Sequence, residues 1–214
     1  MSTPLVVIGA GGFGRETLDV VEAMNRAALL PVFELLGVVD ANPSEQNLSR
    51  LCARGIRYLG TDIEWLASGN QARYLIGIGN PKTRERVDHD WRHAGLLAAI
   101  AVHPAATIGS QSMLGEGVII CAGVQVSTNV RLGRHVHLNP NATVGHDTAL
   151  EEFVSVNPAA TLSGDATVGR RALVGAAAVV LQGLAVGEDA VVGASACVVH
   201  DVPPGTTVKG VPAR

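Results

Sequence analysis

Two constellations in this 214-residue chain carry residue types that do chemistry. The first is His146, followed directly by Asp147. A carboxylate beside an imidazole fixes the tautomer of the ring and stabilises its cation, so the ring can take a proton from an amine or a hydroxyl. A solvated His-Asp pair in a surface turn has the same composition, and the pair alone does not separate the two. The second constellation is Gly9-Ala10-Gly11-Gly12-Phe13-Gly14, a G-x-G-x-x-G spacing between an apolar strand and a helix. Glycine lets the backbone turn tightly and approach a phosphate, and a helix N-terminus offers it free N–H groups. Asp40 ends the next strand, 26 residues after Gly14, placed to accept hydrogen bonds from a ribose or a base. Gly79 and Asn80 follow a further strand on the same rim. The glycine run admits three readings: a nucleotide-linked substrate, a dinucleotide, or a turn that only joins strand to helix. The segment before the repeats spans residues 1–102, too short for both halves of a dinucleotide domain, which favours the first.

The elements that must position these residues are of two kinds. Up to residue 102, short strands (4–8, 34–39, 58–60, 74–78, 98–102) alternate with helices (about 15–28, 62–67, 81–94). Thr61 is a plausible N-cap for the second helix. The pattern indicates a short α/β sheet of half-Rossmann type. From Val102 to Val198, seventeen aliphatic residues then recur at every sixth position without an insertion. Small or β-branched residues such as Val118, Ala142, Ala160 and Ala178 lie four places after their anchors. A period of six is the mark of a hexapeptide parallel β-helix, in which three hexads close one coil. The expected boundaries are 1–102 for the nucleotide-binding domain, 103–205 for the β-helix and 206–214 for a C-terminal tail. Residues 18 apart should then stack. Asn139, Asn157, Gly175 and Gly193 form one column, expected to leave a groove for an extended ligand. Thr128, His146, Gly164 and Gln182 form a corner column, open below the histidine. Asn139 is placed to hold the substrate or the ring. His135 and His137 flank the inward Val136 and should both point outward.

Composition closes off other classes. The net charge is −3 with no long basic run, which speaks against a nucleic-acid partner. Aromatic residues make up 3%, as suits a narrow core filled by Val, Ala and Gly. Cys52, Cys121 and Cys197 are odd in number and scattered, which fits a reducing cytoplasm. The apolar N-terminus lacks a basic region and reads as a buried strand, and no stretch is long enough for a membrane span.

The GAGGFG domain, the regular hexads, the segment NPNATVGHD and the closing VKGVPAR together resemble the sugar O/N-acyltransferase family. That family includes sialic acid O-acetyltransferases and N-acetyltransferases of nucleotide-linked amino sugars of the bacillosamine and perosamine type. The resemblance implies a left-handed β-helix, a homotrimer, and acetyl-CoA as co-substrate in a groove between subunits. It implies His146 as general base with Asp147 beside it and Asn139 as the family's asparagine. Contacts to CoA would come from Ser155, Ala176 and Ala194, beside Gly175 and Gly193. Nucleotide contacts would come from Gly11, Gly12 and Phe13, with Asp40 nearby. Three positions depart from relatives of the bacillosamine branch: Ser155 stands for a second histidine, Asp147 for a glutamate, and Phe13 for a frequent histidine. A backbone N–H at Gly164 or Gly175 would stabilise the oxyanion. Arg170, Arg171 and Lys209 are candidates for the CoA phosphates. The expected reaction is N-acetylation of a nucleotide-linked amino sugar without a metal. The alternatives are O-acetylation of a sugar hydroxyl and a non-catalytic nucleotide-sugar-binding protein. A metal-dependent hydratase would need His135, His137 and His146 to converge.

Overall fold

Leu5, Val6, Val7 and Ile8 are almost wholly excluded from water, as a strand covered on both faces must be. The computed structural model, which describes residues 2–214, places them in β1 (Thr3–Ile8). This is the central strand of a parallel sheet of order β2-β1-β3, with β2 at Phe33–Val39 and β3 at Arg73–Ile76. Single bridges Val38–Tyr58 and Tyr74–Ala98 stand where the sequence reading expects two further strands. Helix α1 (Gly12–Ala27) buries Thr17, Leu18, Val20 and Val21 on one face. Helix α2 (Glu45–Ala53) lies outside the helices expected from the sequence, although Ser44 caps it by accepting from the Asn47 N–H. Helix α3 (Asp62–Ala67) opens with the Thr61/Glu64 capping box. Helix α4 (Pro81–His93) starts with Asn80 as N-cap and proline in its first turn. Val6, Ile8, Val39, Tyr74, Ile76 and Trp91 lie together in the core of this unit, which ends at Ala101.

The second unit runs from Val102. Two-residue strands recur every six residues to Cys197–Val198 and stack in three parallel sheets of seven, six and five strands. The pairings His137–Ser155, Thr143–Thr161 and Ala149–Thr167 fix the repeat at 18 residues per coil. Anchors from Val126 to Val198 are buried, as are most residues four places after them. Ile108 is 39% exposed because its strand is the last in its sheet.

Two backbone features shape each corner. From Gln111 to Ser195, one residue in every six is left-handed, with φ between 50 and 75°. The glycines that follow anchors have a different reason. A Cβ at Gly133, Gly145 or Gly175 would lie 2.5–2.7 Å from the backbone of the next coil. These glycines exist for close stacking, so their missing side chains are not themselves empty space. The expected tail instead begins with a last strand, Thr207–Val208, paired with Val191–Val192. Its offset is 16 (207 minus 191), and Val202 pairs with Val186 at the same offset, so the last coil is two residues shorter. Among the described residues, no helix is long and apolar enough to cross a membrane.

Candidate functional site

Asp147 occupies one of the left-handed corners, with φ 59°, a conformation that Asp and Asn accept more readily than most residues. Its N–H donates to the Thr128 carbonyl at 3.1 Å. This turn directs the carboxylate back along the chain, where Oδ2 lies 2.7 Å from His146 Nδ1. Oδ1 accepts from Asn129 Nδ2 at 2.9 Å, from the coil before. The His146 hydrogen bond, and then the Asn129 one, hold the Asp147 carboxyl below its usual pKa, so it stays ionised. An ionised acceptor at Nδ1 assigns the ring proton there and leaves the Nε2 lone pair free. The His146 side chain is 58% exposed, so a substrate can reach that lone pair. The ring lies against Gly164, where a Cβ would fall 2.5 Å from both Cε1 and Nε2. Gly164 is thus the platform of the ring, rather than an open place below it. Its N–H donates to no group among the described residues.

The other residues expected on the β-helix divide. Asn139 is buried and donates through Nδ2 to the Val156 carbonyl at 3.0 Å, which makes it a brace between coils. Ser155 is 2% exposed beside His137 in its ladder, so its hydroxyl does not face an open groove. The glycine groove is also corrected. The place of a Gly175 side chain is filled by Ala194 N, and that of Gly193 by Lys209 Cβ at 3.1 Å. The Gly175 N–H is committed to the Val192 carbonyl at 2.7 Å, which removes it as an oxyanion donor. Ala176 is half-buried, and Ala194 and Lys209 are exposed. Arg171 is tied to Glu188 and Asp189, and Arg170 to Glu152. Their charges are matched within the chain.

His135 and His137 do not point into solvent; both are buried. His135 sits at a left-handed corner, and its ring stacks on Phe153 with centroids 5.5 Å apart. Gly117, one coil earlier, leaves the space that the ring needs. Among the described residues, the group able to hold a metal is His146, Asp147 and Asp165, so the three histidines do not converge.

In the first unit, the glycine turn follows β1, Asp40 follows β2, and Gly79 and Asn80 follow β3. All lie at the carboxyl ends of parallel strands, where α/β sheets bind ligands. The glycines serve two purposes. Gly14 meets the Gly9 carbonyl and Gly77 meets the Gly14 backbone, so any side chain at Gly14 or Gly77 would collide with main chain. Gly11 and Gly12 are different. A Cβ there would meet nothing within 4 Å, and neither needs a left-handed backbone. The N-terminus of α1 beside them has no side-chain cap, the arrangement in which a helix start can take an anion. Phe13 is half-buried. Asp40 is already engaged: Oδ2 accepts from the Ala10 N–H at 2.7 Å and Oδ1 from the Asn42 N–H at 2.9 Å. It clamps the glycine turn, with one lone pair per oxygen left over. The Asn80 side chain caps α4, and Gly79 is open. The Arg84 guanidinium braces this rim from below, donating to the Ile78 and Gly79 carbonyls at 2.9 and 3.2 Å. Burial lowers its pKa to about 9, which leaves it charged at neutral pH.

The family model of the PglD N-terminal domain matches residues 4–90. The crystal structure of PerB from Caulobacter crescentus, in complex with CoA and GDP-perosamine, superposes with a TM-score of 0.87 and 30% identity over 99% of this chain and 96% of that one. The chain belongs to the sugar O/N-acyltransferase family of left-handed β-helix acetyltransferases. Another relative is the acetyltransferase domain of PglB from Neisseria gonorrhoeae FA1090, in complex with acetyl coenzyme A. It superposes with a TM-score of 0.86 and 28% identity over 100% of this chain and 99% of that one. GDP-perosamine N-acetyltransferase of Escherichia coli O157:H7 is 30% identical over 141 residues. That stretch is 66% of this chain and spans 61% of the relative's length.

Four residues of this acyltransferase escape the sequence reading: Asn129, Asp165, Gly77 and Arg84. The first two carry a signal, since they lie 18 residues before and after Asp147 in one corner column. Gly77 and Arg84 carry none; only the packed sheet shows what each touches.

Proposed function

We propose that this protein transfers the acetyl group of acetyl-CoA to the amine of a nucleotide-linked amino sugar. The observation that carries the reading is the His146–Asp147 dyad, 2.7 Å from Nδ1 to Oδ2 with an exposed ring, on a β-helix of acetyltransferase type. Relatives that match nearly the whole chain, crystallised with CoA and GDP-perosamine or with acetyl coenzyme A, support the choice of substrates. The sugar amine attacks the thioester carbonyl, and His146 Nε2 takes the proton the amine loses. Asp147 stabilises the imidazolium through Nδ1–H. The N–H of Gly164, the residue against which the ring lies and which donates to no group among the described residues, is assigned to the oxyanion. The carbon–sulfur bond then breaks, and the CoA thiolate leaves with the proton.

The first unit supplies the nucleotide site in this reading. The open Gly11 and Gly12 and the uncapped start of α1 take the phosphates. Asp40, Phe13 and Gly79 border the nucleoside and sugar. On the second unit, the exposed Ala194 and Lys209 and the half-buried Ala176 remain the candidates for CoA. A homotrimer accompanies this reading, tested by light scattering on the purified protein.

A thiol-release assay with acetyl-CoA against GDP-, UDP- and dTDP-linked amino sugars, with free sialic acid alongside, tests the proposal. Turnover of one nucleotide-linked amine is expected, and His146→Ala should lower kcat by roughly 10²–10⁴. Turnover of sialic acid alone moves the acceptor to a hydroxyl. Nucleotide-sugar binding without any thiol release makes the protein a binding module. Near wild-type kcat in His146→Ala sinks the base assignment.

A further inference from the structure

We infer that Asp165 is a positioning residue for His146, acting through the field of a second carboxylate on the imidazole. The inference rests on the transfer reaction proposed above. Asp165 lies one coil beyond Asp147 in the same corner column, with φ 58° against 59°. Its N–H donates to the His146 carbonyl at 2.9 Å, which ties the two turns together. One carboxylate oxygen of Asp165, one of Asp147 and a ring nitrogen of His146 all lie within 4.8 Å of one another. The Asp165 side chain is exposed, and it makes no ion pair with a Lys or Arg among the described residues. The same-corner neighbours of His146 in the adjacent coils, Thr128 and Gly164, carry no charge. The charged groups gathered at the ring are therefore Asp147 from its own turn and Asp165 from the next.

The consequence is electrostatic. When the ring takes the proton from the amine, a positive charge forms close to two carboxylates, and its attraction to both offsets their repulsion. Asp147 holds the ring by a hydrogen bond, whereas Asp165 contributes through space and locks the backbone of the turn. At 4.8 Å, the outer limit of these separations, one unit charge in a water-like medium changes such an equilibrium by about fourfold, and more where the substrates exclude water.

The test is Asp165→Asn, which removes the charge and keeps both the shape and the backbone hydrogen bond. Asparagine accepts the left-handed corner as aspartate does. Expected is a fall in kcat of roughly four- to tenfold, with KM for both substrates within about twofold of wild type and an unchanged Tm. The deficit should shrink in about 1 M salt, where the Debye length is roughly 3 Å. An unchanged kcat overturns the inference. So does a loss that salt leaves intact or that comes with a lowered Tm, since either marks a structural effect. His146→Ala measured alongside separates the two levels: activity retained there removes the reaction itself. Loss there without loss in Asp165→Asn removes only the role of Asp165.

Discussion

Replacing Gly164 by alanine tests whether the ring of His146 is held where the chemistry needs it. The new Cβ would lie 2.5 Å from Cε1 and Nε2 and 3.0 Å from Cδ2, while ordinary contacts begin near 3.4 Å. One of the two groups must yield by about 1 Å. The backbone of Gly164 is not left-handed, so alanine fits it without strain. The ring is 58% exposed and yields instead, by swinging outward. Little stability is lost, below roughly 1 kcal/mol, as for a surface change. The 2.7 Å bond to Asp147 stretches, and Nε2 leaves its line of approach. A misplacement of about 1 Å costs on the order of 10² in rate. Expected is a kcat down by about that factor in the thiol-release assay, with an unchanged melting curve. Gly145→Ala is the contrast. Its Cβ would meet the Gly164 backbone N at 2.5 Å, which no side-chain rotation relieves, so it should lose roughly 1–3 kcal/mol of stability. A Gly164→Ala enzyme within threefold of wild-type kcat would refute the placement of the ring.

Gly14→Ala should destabilise the first unit by at least about 1–3 kcal/mol in urea titration, because its Cβ collides with the Gly9 carbonyl. Gly12→Ala should leave the urea curve in place and raise KM for the nucleotide sugar, since nothing of the chain stands in its space. The pKa of Asp147 is lowered in the folded state. Its contribution to stability is therefore complete above the ordinary value of 3.8 and fades as pH falls through the lowered one. The stability difference between wild type and Asp147→Asn should persist at pH 5 and shrink below about pH 4; its disappearance by pH 5 would contradict the bond to His146. Arg171→Met should lower stability by roughly 1–3 kcal/mol through the loss of its ion pairs with Glu188 and Asp189 and leave KM for acetyl-CoA unchanged. A raised KM with full stability would return Arg171 to the list of phosphate ligands.

The architecture was legible because its period is unbroken. Residues at multiples of 18 do stack, so placing Gly164 beneath His146 needed only arithmetic. Three of the five expected half-Rossmann strands were legible from apolar runs, within a few residues at each end, and the other two proved to be single bridges. What failed was the direction of side chains at corners. His135 looks like a surface residue if alternation is carried through a turn, but a left-handed corner folds its ring down onto Phe153. The glycine column looks like a groove if absent side chains mean empty space, yet the next coil fills it.

Taken alone, the sequence determined the two-part fold, the coil repeat and the pairing of His146 with Asp147, because each follows from local spacing. Only the tertiary structure decided which glycines are compressed and which are open. It decided that Asn139 braces a ladder, that Asp40 clamps the glycine turn, and that Asp165 joins the dyad. The reason is common to all of these. They depend on what lies one coil or one strand away, and that distance is set by backbone stacking rather than by position along the chain.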